Sequence, residues 1–146
     1  MKIITADISK REECFRLYKE ASACGVDILV NNAGFGLYGR FTVTELDREL
    51  EMIDVNITAV HILTKLFLKD FSARDKGYIL NVASSAGFMP GPLMAAYYAT
   101  KNYVVRLTTA VREELRSQGS KVYIGAFCPG PVDTEFNNTA GVKFAL

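Results

Sequence analysis

The chain has 146 residues, of which 49% are apolar and 23% are charged, and its formal net charge is +1. This length fits one domain, and the apolar fraction is too high for a disordered tail. The near balance of 17 basic and 16 acidic residues gives no electrostatic signal for nucleic acid or for a membrane surface. No apolar run reaches the length of a membrane span, and the start of the chain lacks the apolar stretch of a signal peptide.

The cysteines and the single histidine predict neither disulfides nor a metal site. Cys14, Cys24 and Cys128 are odd in number and form no Cys-x-x-Cys pair. We interpret them as small apolar residues in a reducing cytosol, which indicates a cytoplasmic protein. His61 has no second histidine, and no cysteine stands near it at ligand spacing, so we expect no bound metal.

Four short β-prone runs alternate with three longer helical patterns. Two helix starts resemble capping boxes, in which a hydroxyl residue is followed three positions later by an acidic one: Ser9 with Glu12, and Thr44 with Asp47. The alternation predicts an α/β fold, a Rossmann-like parallel sheet of about four strands flanked by helices, in one domain over residues 1–146. The predicted strands are 2–6, 26–30, 78–82 and 121–127, and the predicted helices are 9–23, 44–73 and 94–118.

Polar and glycine residues follow the predicted strands. In parallel sheets, ligands bind beyond the carboxyl ends of the strands, so these residues should gather at one edge. Each of them, taken singly, is an ordinary turn former. They are Asp7, residues 31–34, residues 84–87, and the pair at 129–130.

Tyr97 and Lys101 are four residues apart and therefore share one face of the third predicted helix. The same face continues with apolar residues, so the pair should point inward. A buried ammonium beside a phenol is costly unless something uses it, and a nearby positive charge lowers the pKa of a tyrosine toward the range of a general base. A Tyr-x-x-x-Lys pair by itself is a weak signal.

Two further polar residues strengthen this interpretation. Ser84 stands thirteen residues before Tyr97, at the end of the preceding strand, where its hydroxyl can donate to a substrate oxygen. Asn56 interrupts the apolar stripe of the second helix between Ile53 and Ile57. An asparagine at such a position is either satisfied locally or belongs to a polar network.

Together these residues resemble the classical short-chain dehydrogenase/reductase family over nearly the whole chain. Because only Tyr97 stands four residues before Lys101, it is the catalytic candidate, and Tyr98 is interpreted as a packing residue. The matching pieces, in the family's order and spacing, are Asn-Asn-Ala-Gly at 31–34, Asn56, Ser84, Tyr97-x-x-x-Lys101 and Pro129-Gly130-x-x-x-Thr134.

The resemblance implies hydride transfer between NAD or NADP and an alcohol or carbonyl substrate. Tyr97 would be the general acid and base, while Lys101 would hold the cofactor ribose and lower the pKa of Tyr97. Ser84 would polarise the substrate carbonyl, and Asn56 would anchor a water near Lys101. The implied cofactor contacts are Asp7 at the adenine, Asn31, Asn32, Ala33 and Gly34 at the adenosine ribose, Tyr97 and Lys101 at the reacting end, and Pro129, Gly130, Val132 and Thr134 at the nicotinamide.

The sequence also departs from the family pattern. It has no Thr-Gly-x-x-x-Gly-x-Gly turn, it starts at what resembles the family's third strand, and it ends inside what resembles the substrate loop. We therefore expect an incomplete sheet, and the residue that selects NAD or NADP falls in the part without a match. With two intervening strands absent, residues 26–30 would be an open apolar edge, a site of aggregation. We expect residues 2–6 to move beside that edge; the alternative is that another chain or a separate piece of protein covers it.

Two other functions stay open at this stage. One is a catalytically impaired fragment or pseudoenzyme that serves only as a folded, self-associating module. The other is an epimerase or dehydratase of the extended family, against which the Asn-Asn-Ala-Gly loop and the short downstream segment argue. Whichever function holds, we expect a homodimer or homotetramer through the helices at 44–73 and 94–118, because the latter is apolar on more than one side. We expect neither a nucleic-acid partner nor a membrane partner.

Overall fold

A three-stranded parallel sheet lies at the centre of residues 1–130, which are the residues that the computed structural model describes. The strands follow one another across the sheet in chain order, and β2 in the middle pairs with both neighbours. This arrangement confirms the predicted Rossmann-like parallel α/β fold. The strands are β1 (Ile28–Asn31), β2 (Tyr78–Val82) and β3 (Tyr123–Phe127).

Helices connect the strands. The second predicted helix is one run that widens into a π-helical turn between two α-helical parts, and a short 3-10 turn precedes the last helix. No helix within residues 1–130 is long and apolar enough to cross a membrane. The helices are α1 (Arg11–Ser22), α2 (Leu46–Ile53), the π-helical turn (Asp54–Ala59), α3 (Val60–Ala73), the 3-10 turn (Ser85–Phe88) and α4 (Ala95–Ser117).

Residues 2–6 do not form the first predicted strand. They pair with no strand of the described sheet, which has three strands instead of four. The expected move beside β1 is therefore wrong. The segment is held instead by α1, where the Arg16 guanidinium donates to the carbonyl of Thr5 at 2.6 Å. β1 consequently has a ladder partner on one side only among the described residues, as expected of an edge strand.

Both predicted capping boxes are wrong, because the hydroxyl groups are used elsewhere. Ser9 donates its hydroxyl to the Asp7 carboxylate at 2.7 Å, and Lys10 occupies the N-cap of α1 without a side-chain cap bond. Thr44 donates to the carboxylate of Glu49, and α2 begins after Glu45. In each case the hydroxyl is oriented to donate to a nearby carboxylate and caps no backbone N–H group of the helix.

The helices cover one face of the sheet and leave the other exposed. On the covered face, Ile79 and Ile124 are buried in a core with Leu63, Phe67 and Phe71 of α3. Among the described residues, β1 is therefore covered on one face only. The large apolar side chains on the open face are Ile28, Val30, Tyr78, Leu80, Tyr123 and Phe127.

A buried polar network ties the sheet to the helices. Asn81 of β2 accepts a hydrogen bond from Asn31 of β1 at 2.8 Å and donates one to Thr108 of α4 at 2.9 Å. Thr64 of α3 accepts from Asn31 at 3.0 Å and donates to the Asn81 carbonyl oxygen at 3.3 Å. All four side chains are buried, where an unpaired polar group would cost the most.

We expect Asn81→Ala to lower the free energy of unfolding by about 3 kcal/mol, because the Asn31 amide and the Thr64 hydroxyl lose an acceptor and the Thr108 hydroxyl loses its donor. The exposed Asn32→Ala is the matched control and should change stability by less than about 0.5 kcal/mol. Urea unfolding followed by circular dichroism measures both. Equal effects of the two substitutions would contradict the structural role of the network.

Candidate active site

Tyr97 and Lys101 lie one turn apart on α4 and are buried against the carboxyl end of β2. Their exposed fractions are 8% and 6%. The Lys101 ammonium donates to the carbonyl of Val82, the last residue of β2, at 3.0 Å. Its nitrogen lies 5.8 Å from the centre of the Tyr97 ring. The helical spacing thus brings both side chains to the sheet edge where ligands of parallel sheets bind.

The loop after β1 approaches the same ammonium through a glycine. A Cβ atom at Gly34 would lie 3.0 Å from Oδ1 of Asn56 and 3.4 Å from Nζ of Lys101. The first distance is shorter than ordinary carbon–oxygen contact, so a side chain at this position would push Asn56 away. The absence of a Cβ therefore lets the backbone of this loop lie directly against the buried polar groups of the site.

Asn56 lies in the π-helical turn and belongs to a polar network. Its amide nitrogen donates to the carbonyl of Phe35 at 2.9 Å and to the hydroxyl of Thr100 at 3.1 Å, and its amide oxygen accepts from the Phe35 N–H at 3.1 Å. Thr100 in turn donates to the carbonyl of Tyr97 at 2.7 Å. Asn56 thus connects the loop after β1 to α4. π-Helical turns are frequent at functional sites, yet the predicted water-anchoring role of Asn56 stays a prediction.

Ser84 follows β2 and begins the 3-10 turn. Its hydroxyl oxygen accepts from the N–H of Ala86 at 3.1 Å, and the N–H of Ser85 donates to the carbonyl of Pro129 at 2.9 Å. The Ser84 side chain also lies near enough to the Tyr97 phenol to lower the pKa of that phenol by hydrogen bonding. The ends of β2 and β3 therefore meet at this turn, and the turn directs the Ser84 hydroxyl toward the phenol.

Burial raises the pKa of the Tyr97 phenol above its ordinary value, and the hydrogen bond from Ser84 opposes that shift. We expected a lowered pKa from the positive charge of Lys101. The structure gives a different balance, because the ammonium is directed at the Val82 carbonyl and the loss of hydration dominates. The phenol is consequently protonated at neutral pH in this structure.

Burial lowers the pKa of Lys101 to about 8, and the nearby Cys128 thiol opposes that shift. An ordinary lysine titrates near pH 10.4. Lys101 is therefore a cation that loses its proton about two pH units earlier than usual. Within residues 1–130, its bond to the Val82 carbonyl is the one hydrogen bond of this ammonium, which leaves two of its three protons for a ligand.

The other predicted cofactor residues lie in different surroundings. Asp7 is exposed, and its bonds with Ser9 lower the pKa of its carboxyl. Asn31 uses its side chain in the buried network, so any contact with a cofactor falls to its backbone. Asn32, Ala33 and Gly130 are exposed, and Pro129 contacts the Ser84 turn as described. Val132 and Thr134 lie outside the described residues.

Sequence reasoning missed several residues that hold the site together. Thr100 and Asn102 flank Lys101 on α4 and bond to the Tyr97 carbonyl and the Gly87 carbonyl. Asn81 of β2 joins this strand to β1 through its bond with Asn31. A signal existed for Thr100 and Asn81, since both are polar residues at positions where the pattern is apolar. Asn102 gave no such signal, because it is a polar residue on a partly exposed helix face.

Comparison with known proteins places this geometry in a family. The family model described as short chain dehydrogenase matches residues 1–143. An uncharacterised oxidoreductase of Staphylococcus aureus is 34% identical over 141 residues, which cover 95% of this chain and 60% of that protein. The chain spans about half the length of the curated relatives that it matches.

Solved structures agree in fold. A short-chain dehydrogenase from Sphingobium yanoikuyae in complex with NADPH superposes with a TM-score of 0.87 at 29% identity, over 97% of this chain and 55% of that one. A short chain dehydrogenase/reductase from Burkholderia phymatum in complex with NAD gives 0.85 at 28% identity, over 97% of this chain and 52% of that one. The neighbours thus bind either form of the nicotinamide cofactor.

The lowered pKa of Lys101 makes the stability of the chain depend on pH. Below pH 8 the folded state carries the buried charge, whereas between pH 8 and 10.5 it has lost a proton that the unfolded state still holds. The contribution of Lys101 to stability therefore rises with pH in that window. We expect the difference in unfolding free energy, wild type minus Lys101→Met, to rise by about 2 kcal/mol from pH 7 to pH 10.

Urea unfolding at several pH values measures this difference. Titrating groups distant from Lys101 are common to both proteins and cancel in this difference. A pH-independent difference would mean that Lys101 titrates as an exposed lysine does.

Proposed function

Because the chain belongs to the short-chain dehydrogenase family, we propose that it carries the catalytic centre of an NAD(P)-dependent oxidoreductase that acts on an alcohol or carbonyl substrate. One observation carries the proposal: the Ser84 hydroxyl, the Tyr97 phenol and the Lys101 ammonium converge at the carboxyl end of β2. Structural packing gives no reason to bury an ammonium there, whereas acid–base chemistry on a substrate oxygen does.

Each side chain has a role that follows from its chemistry. Ser84 donates a hydrogen bond to the substrate oxygen and polarises the carbonyl. Tyr97 passes its proton to that oxygen in reduction, for which its protonated state at neutral pH is suited, and takes the proton back in oxidation. The positive charge of Lys101 stabilises the phenolate that reduction leaves behind. A bound nicotinamide supplies or accepts the hydride at the substrate carbon.

The residues present fit one part of such a cofactor. The two ammonium protons that Lys101 has available suit the two hydroxyls of a ribose, and the missing Cβ of Gly34 lets the cofactor approach the same place. Asp7, Asn32, Ala33, Pro129 and Gly130 would contact other parts of the cofactor, together with Val132 and Thr134. The neighbours support either NAD or NADP, and the contacts of residues 1–130 do not select between them.

We also propose a cytoplasmic homodimer or homotetramer. Cys14, Cys24 and Cys128 are free thiols, which supports a reducing compartment. The outer side of α4 exposes the small side chains of Ala95 and Ala99. Small residues allow a helix of a second copy to approach closely. We place the contact on the helical face formed by residues 44–73 and 94–118.

In a catalytically active form of the protein, we expect Tyr97→Phe to lower kcat at least about 1,000-fold while NAD(P)H still binds, because only the proton on the phenol is lost. Tyr98→Phe is the matched control and should keep near-normal turnover, since its ring packs against Gly91. Steady-state kinetics and cofactor fluorescence measure the two effects separately. Full activity of Tyr97→Phe would assign the acid–base role to another group.

The same fluorescence titration on the 146-residue chain tests whether this segment binds cofactor at all. We expect NADH or NADPH to bind, and Lys101→Ala to weaken that binding. If neither cofactor binds to a chain that is folded by circular dichroism, the self-associating module becomes the better description.

We expect light scattering at micromolar concentration to give the mass of a dimer or a larger assembly. Ala99→Glu should shift the protein toward the monomer, because it adds a charge to the proposed contact. The same substitution at Ala23, which is exposed at the end of α1, should leave the mass unchanged. A wild-type monomer, or equal effects at the two positions, would contradict this interface.

A further inference from the structure

The 3-10 turn that follows Ser84 is fastened to α4 at a point next to Lys101. The Asn102 side-chain amide donates to the carbonyl of Gly87 at 2.7 Å. Gly87 is buried, and its own N–H donates to the carbonyl of Ser84 at 3.0 Å. Asn102 is therefore two hydrogen bonds away from the Ser84 backbone.

The turn and the helix are also in close contact at Gly87. A Cβ atom there would lie 2.9 Å from the Lys101 carbonyl oxygen and 2.8 Å from Cγ2 of Val105. Both distances are shorter than real Cβ contacts, and one of the two atoms is helix backbone that cannot move aside. Only glycine lets the turn lie this close, and at this distance the Asn102 amide reaches the carbonyl.

Beyond the contact of Ser84 with Tyr97, four hydrogen bonds hold the turn, and one of them is the bond from the Gly87 N–H to the Ser84 carbonyl. The Ser85 N–H bonds to the Pro129 carbonyl, the Ala86 N–H bonds to the Ser84 hydroxyl oxygen, and Asn102 holds the far end. The first two fix the turn to β3 and to itself. Asn102 supplies the side-chain bond to α4, the helix that carries Tyr97 and Lys101.

We propose that Asn102 is a positioning residue, which holds the Ser84 turn against α4 so that the Ser84 hydroxyl stays in contact with Tyr97. This inference rests on the proposed function, since it concerns the alignment of two catalytic groups. Without the Asn102 amide, the Gly87 carbonyl is a buried acceptor without its partner. The turn then moves outward until water reaches that carbonyl, and Ser84 moves with it.

Three variants separate the hydrogen bond from the volume of the side chain. Asn102→Asp keeps the shape and removes the donor, Asn102→Ala removes both, and Asn102→Gln keeps the amide on a longer chain. Leu115→Ala serves as the stability control, because Leu115 is a buried core residue away from the turn. Ser84→Ala gives the complete loss of the hydroxyl contact.

The first readout is amide hydrogen exchange in the 146-residue chain. We expect Asn102→Ala and Asn102→Asp to speed exchange of the Ser85, Ala86 and Gly87 amides by about tenfold, the factor that corresponds to about 1.4 kcal/mol. Amides of β2 should keep their rates, and Asn102→Gln should recover part of the protection. Leu115→Ala should instead raise the rates of all slowly exchanging amides together.

The second readout is the titration of Tyr97, followed by NMR of ring-labelled tyrosine and assigned with Tyr97→Phe. Since the Ser84 hydrogen bond opposes the rise that burial causes in the pKa of Tyr97, its loss should raise that pKa further. We expect Asn102→Ala, which removes the donor without adding a charge, and Asn102→Asp to shift the pKa of Tyr97 toward its value in Ser84→Ala, and Leu115→Ala to leave it unchanged.

An unchanged pKa of Tyr97 in Asn102→Ala would overturn the positioning role, and so would faster exchange spread evenly over the whole chain. Neither measurement needs a cofactor or turnover. A failure of the proposed function, seen as absent cofactor binding, is therefore distinguishable from a failure of this inference.

Discussion

The side-chain amide of Asn81 is the interaction on which the rest of the structure depends. It joins two neighbouring strands and bonds to Thr108 of α4 in the buried layer between sheet and helices. Thr108 lies two helical turns beyond Lys101 on the same side of α4. The bond therefore fixes the rotation of the helix about its axis, and that rotation decides whether Tyr97 and Lys101 face the strand ends or the solvent.

The next residue of β2 also contacts α4. Val82 directs its carbonyl to the Lys101 ammonium, so consecutive residues of one strand hold α4 at two points. A third link runs from Asn56 through Thr100 to the carbonyl of Tyr97. Polar bonds of fixed direction, more than apolar packing, thus set the geometry of the candidate site, since apolar contacts tolerate rotation and sliding that hydrogen bonds do not.

Burial has opposite effects on the pKa values of the two titrating side chains, and both effects favour the neutral form. The phenol of Tyr97 holds its proton more tightly, while the ammonium of Lys101 gives its proton up more easily. The resemblance implied that Lys101 lowers the pKa of Tyr97, whereas in this structure that pKa is raised. An electrostatic argument from spacing along a helix includes the attraction between two charges but omits the cost of removing their hydration.

Spacing along the sequence predicted what depends on local geometry. Tyr97 and Lys101 lie one turn apart on one helix, as their four-residue spacing predicted. The strand that precedes Ser84, β2, has the predicted bounds. The capping predictions failed because the hydroxyls of Ser9 and Thr44 donate to the nearby carboxylates of Asp7 and Glu49. The prediction of a strand at residues 2–6 failed for another reason. A β-prone run becomes a strand only beside a partner, and no local pattern reports whether a partner is present.

Among residues 1–130, the apolar core and the polar contacts to α3 and α4 lie on the same face of the sheet. Parallel sheets are ordinarily covered on both faces, whereas here large apolar side chains such as Val30, Tyr78 and Phe127 are exposed over residues 1–130. Apolar burial therefore stabilises the strands from one side. The hydrogen bonds from Asn31 and Asn81 to α3 and α4 cross that same covered side, so they must hold strand register and helix rotation together. Packing against the exposed face would stabilise the strands without contacting α4. The arrangement of Ser84, Tyr97 and Lys101 would still be determined by the contacts on the face that α4 covers.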